Sequence, residues 1–264
     1  MTSAPTCISC GAQLRDTFVD LGVTPISNSN VRQQDYHSKD PVYPLHVRVC
    51  SRCLLVQADS VVPREEHFNE DYQYFSSFAA SWVDHARKYC IEMIDRFGLT
   101  SQSAVVEVAS NDGYLLQHFS ERGISVLGIE PTKSTANAAI VKGIPTEIAF
   151  FGRETAERLK SAGYSADLMA SNNVLAHVPD INDFVSGFAV LLKPQGVWTI
   201  EFPHVLHLID QNQFDTIYHE HYSYLSLLVV EGILARHGMR AFDVQELSTH
   251  GGSLRVFATL NGSS

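Results

Sequence analysis

The sequence has 264 residues, of which 45% are hydrophobic and 18% are charged, a balance typical of a globular protein rather than a disordered or fibrous one. The formal net charge of −10 disfavours nucleic acid as a partner, because phosphate binding requires a basic surface. The apolar runs are too short to span a membrane, and the first residues lack the basic and apolar regions of a signal peptide, so we expect a cytoplasmic protein.

Two CxxC motifs mark the N-terminal part of the chain. The pairs are Cys7 with Cys10 and Cys50 with Cys53. Each CxxC turn brings two thiolates to one tetrahedral zinc ion, and two turns complete a shell of four cysteines. A redox dithiol usually requires a βαβ scaffold, which this region lacks, and a catalytic zinc requires an open position that four thiolates do not leave. The motifs therefore predict a structural zinc domain over residues 1–65, followed by a second domain over residues 66–264.

From residue 104 onward the sequence alternates β-branched runs with helical patterns. The runs predicted as strands cover residues 104–109, 124–130, 167–171 and 196–201, and helices are predicted between them. This alternation predicts an α/β domain with a parallel sheet covered on both faces. Two final runs, at 240–247 and 251–260, predict an antiparallel hairpin at the sheet edge. A parallel sheet finished by such a hairpin is the outline of the Rossmann-like class I methyltransferases.

The carboxyl ends of the first two predicted strands carry candidate ligand-binding residues. Glu107 begins a segment that turns through Ser110-Asn-Asp-Gly113, with small residues where the chain must approach a ligand closely. Glu130 ends the second strand, where a carboxylate can bind the two hydroxyls of a ribose. The loop departs from the pattern GxGxxG, so dinucleotide binding is disfavoured.

A dense group of titratable and aromatic side chains follows the strand that ends near residue 201. It contains Tyr218, His219, Glu220 and His221 in succession. Histidine exchanges a proton near neutral pH, and a neighbouring carboxylate or phenol can orient it. If this segment were extended, His219 and His221 would share one face, and Tyr218 and Glu220 the other. A second metal site and a purely structural polar loop are the alternatives, but HExxH is absent and the crowding beyond a strand end favours function.

Two further segments are predicted to join this site. His177 follows the strand predicted at 167–171, so it should face the same cleft. Tyr72 lies in an aromatic segment between the CxxC motifs and the first strand. The alternative interpretation of that segment is a linker that packs the two domains together.

Taken together, these motifs resemble the S-adenosylmethionine-dependent sugar C-methyltransferases that act on deoxysugars in antibiotic pathways. The matching segments are the two CxxC motifs, residues 72–77, VEVASNDGYLL, GIEP, SNNVLAHV, EFPH, YHEHYSYLS and the THGGSLR run at 249–255. The resemblance covers residues 7 to about 260. Members of the family typically continue into a further C-terminal α/β domain, whereas this sequence stops at Ser264.

The resemblance implies S-adenosylmethionine as cofactor and a nucleotide-linked 4-keto-6-deoxysugar as acceptor, methylated at C-3 through an enolate. It implies His221 as the base with Tyr218 as its rival, Glu220 as the group that orients the pair, and His177 and Tyr72 as substrate-binding or enolate-stabilising residues. The residues implied to hold the cofactor are Glu107, Asn111, Asp112, Gly113, Glu130 and Asn173. Transfer to a hydroxyl, an amine or a non-sugar ketone is a second hypothesis. A non-catalytic module that uses the zinc domain for protein contacts is a third.

Overall fold

The computed structural model describes residues 5–27, 31, 33–59, 62–63, 65 and 74–263. The strands within these ranges are β1 Asp16–Thr24, β2 Tyr43–Val49, β3 Val56–Ala58, β4 Ala104–Val108, β5 Ser125–Ile129, β6 Thr146–Glu147, β7 Ala166–Asn172, β8 Leu192–Pro203, β9 Ser223–Tyr224, β10 Met239–Leu247 and β11 Ser253–Leu260. The α-helices are α1 Ala80–Phe97, α2 Leu116–Ser120, α3 Lys133–Val141, α4 Arg153–Ser161, α5 Ile181–Leu191, α6 Val205–Asp210 and α7 Leu227–Arg236.

Seven strands form the larger sheet, in the order β10-β11-β8-β7-β4-β5-β6. The five strands from β8 to β6 are parallel, and β11 pairs antiparallel with both β8 and β10. β11 therefore inserts between β8 and β10, which leaves β10 at the edge. This arrangement confirms the predicted α/β class I methyltransferase sheet with its terminal antiparallel hairpin.

The parallel strands are buried on both faces, as their nearly continuous apolar runs predict. Neighbouring residues of β4 belong to different core clusters, because side chains along a strand alternate between the faces of the sheet. Val106 packs in the cluster that contains α5, where the Phe188 and Trp198 rings stack 3.7 Å apart. Val105 packs in the cluster that contains α1 and α2.

Helix α1 has 18 residues and precedes β4 in the sequence. It is capped at its C-terminus by Gly98, whose φ of 59° is left-handed. The amide of Gly98 closes the last turn on the carbonyl of Ile94, which is a common way for glycine to stop a helix. None of the described helices combines the length and the apolarity needed to cross a membrane.

The smaller sheet has the order β1-β2-β3-β9 and is antiparallel throughout. Its first three strands lie in the region of the CxxC motifs, but β9 comes from the segment that follows the candidate catalytic residues. Tyr224 pairs with Val56, and Ser223 pairs with Gln57. The sheet of the N-terminal region is thus completed by residues from the other half of the chain.

Candidate functional site

The four cysteines of the CxxC motifs lie together, with their Sγ atoms all within 4.8 Å of one another. Cys7 Sγ is 3.5 Å from Cys53 Sγ, and Cys10 Sγ is 3.6 Å from Cys50 Sγ. Tetrahedral zinc with thiolate bonds of about 2.3 Å requires sulfur–sulfur distances of about 3.8 Å. The arrangement therefore fits one zinc ion, as the spacing of the motifs predicts.

One cavity of about 750 Å³ opens at the carboxyl ends of β4, β5, β7 and β8. It brings together most of the predicted site residues: Asn111, Glu130, Asn173, His177, Tyr218, Glu220 and His221. We call the part lined by residues 108–109, 111, 114, 129–131 and 172–173, where the predicted cofactor residues lie, its cofactor end. We call the part lined by residues 177, 213, 215–216, 218, 220–221 and 250–251 its acceptor end. Glu107, Asp112 and Gly113 are absent from the lining, and Tyr72 lies outside the described residues.

The turn after β4 has an unusual backbone. Ala109, Asn111 and Gly113 have φ values of 56°, 48° and 78°, all in the left-handed region. The Asn111 side chain stabilises this turn and does not project freely into the cavity. Its Oδ1 accepts from the amide of Ser76 at 2.9 Å, and its Nδ2 donates to the carbonyl of Tyr74 at 3.0 Å. Asn111 thus ties the turn to the segment in front of α1.

Glu130 is the carboxylate at the end of β5, and it is 5% exposed. One oxygen accepts from the amide of Asn111 and the other from the amide of Thr132, both at 2.9 Å. Each carboxylate oxygen can accept a further hydrogen bond, so the group can still bind a pair of hydroxyls. Burial raises the pKa of this carboxyl, an effect that the two amides oppose.

Three predicted cofactor residues lie behind the cavity wall. Asp112 accepts from Lys142 Nζ at 3.0 Å and from the Ser77 hydroxyl, which holds the turn against its neighbours. A Cβ on Gly113 would lie only 3.1 Å from Ile144, in a backbone conformation that already favours glycine. Glu107 is 1% exposed, and burial holds the pKa of its carboxyl well above the usual value.

Tyr218 and His221 form a hydrogen-bonded pair at the acceptor end. His221 Nδ1 lies 2.8 Å from the carbonyl of Thr216, so this nitrogen carries the hydrogen and donates it. His221 Nε2 is then the acceptor for the Tyr218 hydroxyl, 2.9 Å away. Burial lowers the pKa of His221 to about 4. Burial also raises the pKa of the Tyr218 phenol, with a smaller contribution from Glu220. The pair is therefore a neutral imidazole and a neutral phenol at neutral pH.

The segment that carries this pair is not extended. The amide of His221 donates to the carbonyl of Tyr218 at 3.0 Å, which closes a turn. The turn places Tyr218, Glu220 and His221 on the cavity wall. His219 instead lies 3.1 Å from the carbonyl of Pro44, through Nε2, in the N-terminal region. The alternation expected for an extended chain is wrong here, because a turn brings residues three apart to the same side.

His177 and Glu220 flank the pair. The His177 ring packs edge-on against the His221 ring, with centroids 4.6 Å apart. Glu220 is 4% exposed, and its Oε1 accepts from the Ser27 hydroxyl at 3.3 Å.

The cavity also contains residues that the motifs did not single out. Asn172, at the end of β7, is 8% exposed, and neither of its amide atoms has a hydrogen-bond partner among the described residues, although the Tyr114 hydroxyl is nearby. Trp82 stacks on His85 at 4.7 Å. The Trp82 ring also meets the His250 ring edge-on at 5.1 Å.

Different signals could have identified these residues. His250 lies inside the THGGSLR run, so the motif contained it. Asn172 precedes Asn173 at the same strand end, but alternation along β7 does not say which amide faces the ligand. Trp82 has no local signal, because it reaches the cavity from α1.

Comparisons with known proteins identify the family to which the chain is similar. A family model described as a methyltransferase domain matches residues 82–243, and another described as a zinc binding domain matches residues 7–68. The C-methyltransferase NovU of Streptomyces niveus is 36% identical over 252 residues, which are 96% of this chain and 60% of NovU. The chain therefore spans about three fifths of that relative's length. A ubiquinone biosynthesis O-methyltransferase of Bartonella tribocorum is 26% identical over 94 residues, 35% of this chain and 38% of that protein.

Solved structures share the fold at low sequence identity. The magnesium protoporphyrin IX methyltransferase of Synechocystis PCC 6803, solved with bound SAH, has a TM-score of 0.53 and 16% identity over 75% of this chain and 93% of its own. An S-adenosylmethionine-dependent methyltransferase of Clostridium acetobutylicum has a TM-score of 0.55 and 11% identity over 68% of this chain and 92% of its own. The match to the methyltransferase domain model covers more than half of the sequence. The chain belongs to the methyltransferase domain family.

Proposed function

We propose that the chain is an S-adenosylmethionine-dependent C-methyltransferase that acts on a nucleotide-linked 4-keto-deoxysugar, at the carbon next to the ketone. The observation that carries the proposal is the pair of Tyr218 and His221, 2.9 Å apart, on the wall of the cavity that also contains Glu130. The similarity to NovU, whose name states C-methyl transfer, supports carbon as the acceptor atom. The proposed domains are residues 1–65 for zinc and 66–264 for methyl transfer, with β9 paired to the zinc region.

The cofactor end suits an adenosyl group and a charged amino-acid group. Glu130 would accept hydrogen bonds from the ribose hydroxyls, since its backbone contacts leave lone pairs on both oxygens. Asn172 and Asn173 have amide atoms without partners among the described residues, and these atoms would bind the polar groups of the methionine part. Glu107, Asp112 and Gly113 would act from behind the wall by fixing the turn after β4.

The acceptor end suits removal of a proton from carbon. Bound S-adenosylmethionine would supply an electrophilic methyl group on a positively charged sulfur. His221 Nε2 takes the proton from the carbon next to the ketone, directly or through the Tyr218 hydroxyl, and the C–H electrons form an enolate. An enolate held by these residues would be the nucleophile for the methyl group that S-adenosylmethionine supplies, with the electrons of the C–S bond passing to sulfur. The Tyr218 phenol, kept protonated by burial, would turn its one hydrogen from His221 Nε2 to the enolate oxygen as Nε2 takes the proton.

The neighbouring residues would hold this pair in place. The carbonyl of Thr216 fixes the tautomer that leaves His221 Nε2 free of hydrogen. Glu220 is proposed to orient the pair. His177, whose ring contacts the His221 ring edge-on, is proposed to bind the acceptor or to stabilise the enolate oxygen. Tyr72 is proposed to contact the same acceptor.

The test is hydrogen exchange at the acceptor carbon. The zinc-loaded chain is incubated in D₂O with a nucleotide-linked 4-keto-6-deoxysugar and S-adenosylhomocysteine, which cannot donate a methyl group, and proton NMR follows the C-3 hydrogen. We expect enzyme-dependent loss of this signal, because a base that forms an enolate exchanges the proton. His221→Ala should abolish the exchange, whereas His37→Ala, which changes an exposed histidine outside the cavity, should retain it.

Two outcomes would overturn the proposal. Methyl transfer to a hydroxyl or amine without exchange at carbon would establish the second hypothesis. Failure of the folded, zinc-loaded chain to bind S-adenosylmethionine or S-adenosylhomocysteine in calorimetric titration would favour a non-catalytic binding module.

A further inference from the structure

Gln57 occupies the centre of the short strand β3, and its side chain is 3% exposed. The side chain contacts the first CxxC turn. Its Oε1 accepts from the amide of Ile8 at 2.9 Å, and its Nε2 donates to the carbonyl of Thr6 at 3.4 Å. Ile8 lies between the two zinc ligands of this turn. A buried amide with both ends satisfied by one loop fixes the position of that loop.

The backbone of the same residue pairs with the segment that carries the candidate catalytic pair. Gln57 lies opposite Ser223 in the β3–β9 ladder. Ser223 is only two residues after His221 in the sequence. The amide of the next residue, Ala58, donates to the carbonyl of Tyr222 at 3.1 Å. Gln57 therefore lies between the metal turn and the catalytic segment, which we define as residues 214–226.

The catalytic segment depends on such external contacts, because β9 is only two residues long. A strand of this length has almost no stability of its own. Tyr222 makes two further contacts: its amide donates to the carbonyl of Ala176 at 2.8 Å, and its hydroxyl donates to the carbonyl of Val62 at 3.0 Å. The end of the segment is held separately, where the amide of Val205 donates to the carbonyl of Leu225 at 2.9 Å. β3 and the His177 turn are therefore the contacts nearest to His221 in sequence.

We propose that Gln57 is a positioning residue that transmits zinc binding at the first CxxC turn to the placement of His221 and Tyr218. Zinc fixes the turn, the turn holds the Gln57 side chain, and the Gln57 backbone sets the register of β9. The effect on catalysis rests on the proposed function, whereas the effect on the order of the catalytic segment does not.

Asn182 in α5 provides a matched control. Its Nδ2 donates to the carbonyls of Ile8 and Ser9, at 3.0 and 3.1 Å. It therefore contacts the same CxxC turn from α5, through an amide as well. It has no hydrogen bond to the catalytic segment among the described residues, because its Oδ1 meets His237 at 3.1 Å instead.

The experiment compares Gln57→Met with Asn182→Leu, both purified with zinc. Hydrogen–deuterium exchange mass spectrometry is read on peptides from residues 214–226 and, as an internal reference, on β4 and β5. We expect Gln57→Met to raise exchange in the catalytic segment by about tenfold or more while the reference strands stay protected. Asn182→Leu should leave the catalytic segment as in the parent chain. Equal exchange in the two variants would overturn the proposal.

Kinetic and metal measurements separate positioning from a loss of folding. Gln57→Met should lower kcat by about tenfold or more, because a small displacement of the pair removes its alignment, while affinity for S-adenosylhomocysteine changes less than about twofold. If the parent chain transfers no methyl group, the exchange result still decides the inference.

A second measurement needs no substitution. Zinc is removed from the parent chain with a chelator, and exchange is sampled over time. The catalytic segment should lose protection before β4 and β5 do. Simultaneous loss in all of these segments, or retained protection in residues 214–226 after zinc has left, would contradict the proposal.

Discussion

The two ends of the cavity are built in different ways. The cofactor end consists of a short turn in which Ala109, Asn111 and Gly113 adopt left-handed conformations and Glu130 binds two amides. The acceptor end consists of side chains from distant parts of the sequence, held by contacts that include the zinc region. The first end is defined by local backbone geometry and the second by tertiary contacts. A substitution at the cofactor end should therefore lower cofactor affinity, whereas a substitution at the acceptor end should lower turnover.

The largest difference between the effect on turnover and the effect on cofactor affinity is expected for His221→Ala. Turnover should fall by about a thousandfold, because the variant loses the imidazole nitrogen that is placed to accept a proton. Affinity for S-adenosylmethionine should change less than about threefold, since the cofactor end is intact. Steady-state kinetics and calorimetric titration measure the two effects. Normal turnover in this variant would remove His221 from the mechanism.

Glu130→Ala is expected to act mainly on cofactor affinity. Cofactor affinity should fall by about a hundredfold, because the variant loses the proposed ribose contact and releases the amides of Asn111 and Thr132. Glu147→Ala is the matched control, since it removes a more exposed carboxylate that binds Arg158 at 2.8 Å on the surface. Equal affinities of the two variants in calorimetric titration would contradict the role of Glu130.

Asn172→Leu is expected to have two smaller effects, a gain in the stability of the ligand-free chain and a loss of cofactor affinity. The ligand-free chain should gain stability, by about 1 kcal/mol, because an apolar group replaces a buried amide that has no partner among the described residues. Cofactor affinity should fall by about tenfold, because the same amide is proposed to bind the ligand. Thermal unfolding with and without S-adenosylhomocysteine reports both effects. A lower melting temperature of the free variant would show that Asn172 is already satisfied within the protein.

The smallest effect concerns pH. Burial lowers the pKa of His221 to about 4 in the folded chain, against about 6.5 in an unfolded one. The ring therefore stays neutral in the free enzyme, and its protonation should change kcat/KM less than about twofold between pH 6 and 8. Below about pH 6.5 the unfolded chain takes up a proton that the folded chain does not, so stability should decline as pH falls towards 4.

The sign of the stability effect is checked by comparison with His221→Ala. The melting temperature of the parent chain should decline more between pH 6.5 and 5 than that of the variant, which lacks the titrating ring. A steeper decline in the variant would contradict the lowered pKa.

The cofactor end could be predicted from the sequence better than the acceptor end. The β-branched runs at 104–109 and 124–130 indicated β4 and β5, because buried parallel strands leave a continuous apolar pattern. Glu130 could be placed at the cavity by counting to a strand end. In contrast, the turn at 218–221 depends on where the chain is held at Thr216 and Ser223, which no local pattern records. Tyr218 and His221 could be named as candidates, but their contact with each other could not.

The small sheet escaped prediction for a related reason. Residues 16–24 are largely exposed in β1, so they lack the apolar alternation that predicts a strand. β9 has two residues and gains its strand geometry only from β3. Trp82 could not be predicted as a cavity residue either, because it is far in sequence from most of the other residues that line the cavity.

The completion of the small sheet by β9 also bears on how the protein is made. During synthesis, β1, β2 and β3 leave the ribosome long before residues 223 and 224, so one side of β3 stays unpaired while most of the larger sheet is translated. An unpaired strand edge is a template for contacts between nascent chains. β3 is only three residues long, which limits how much of the backbone such contacts can engage. The N-terminal fragment produced alone would retain that open edge, so its solubility, compared with the full chain, would report the protection that β9 provides.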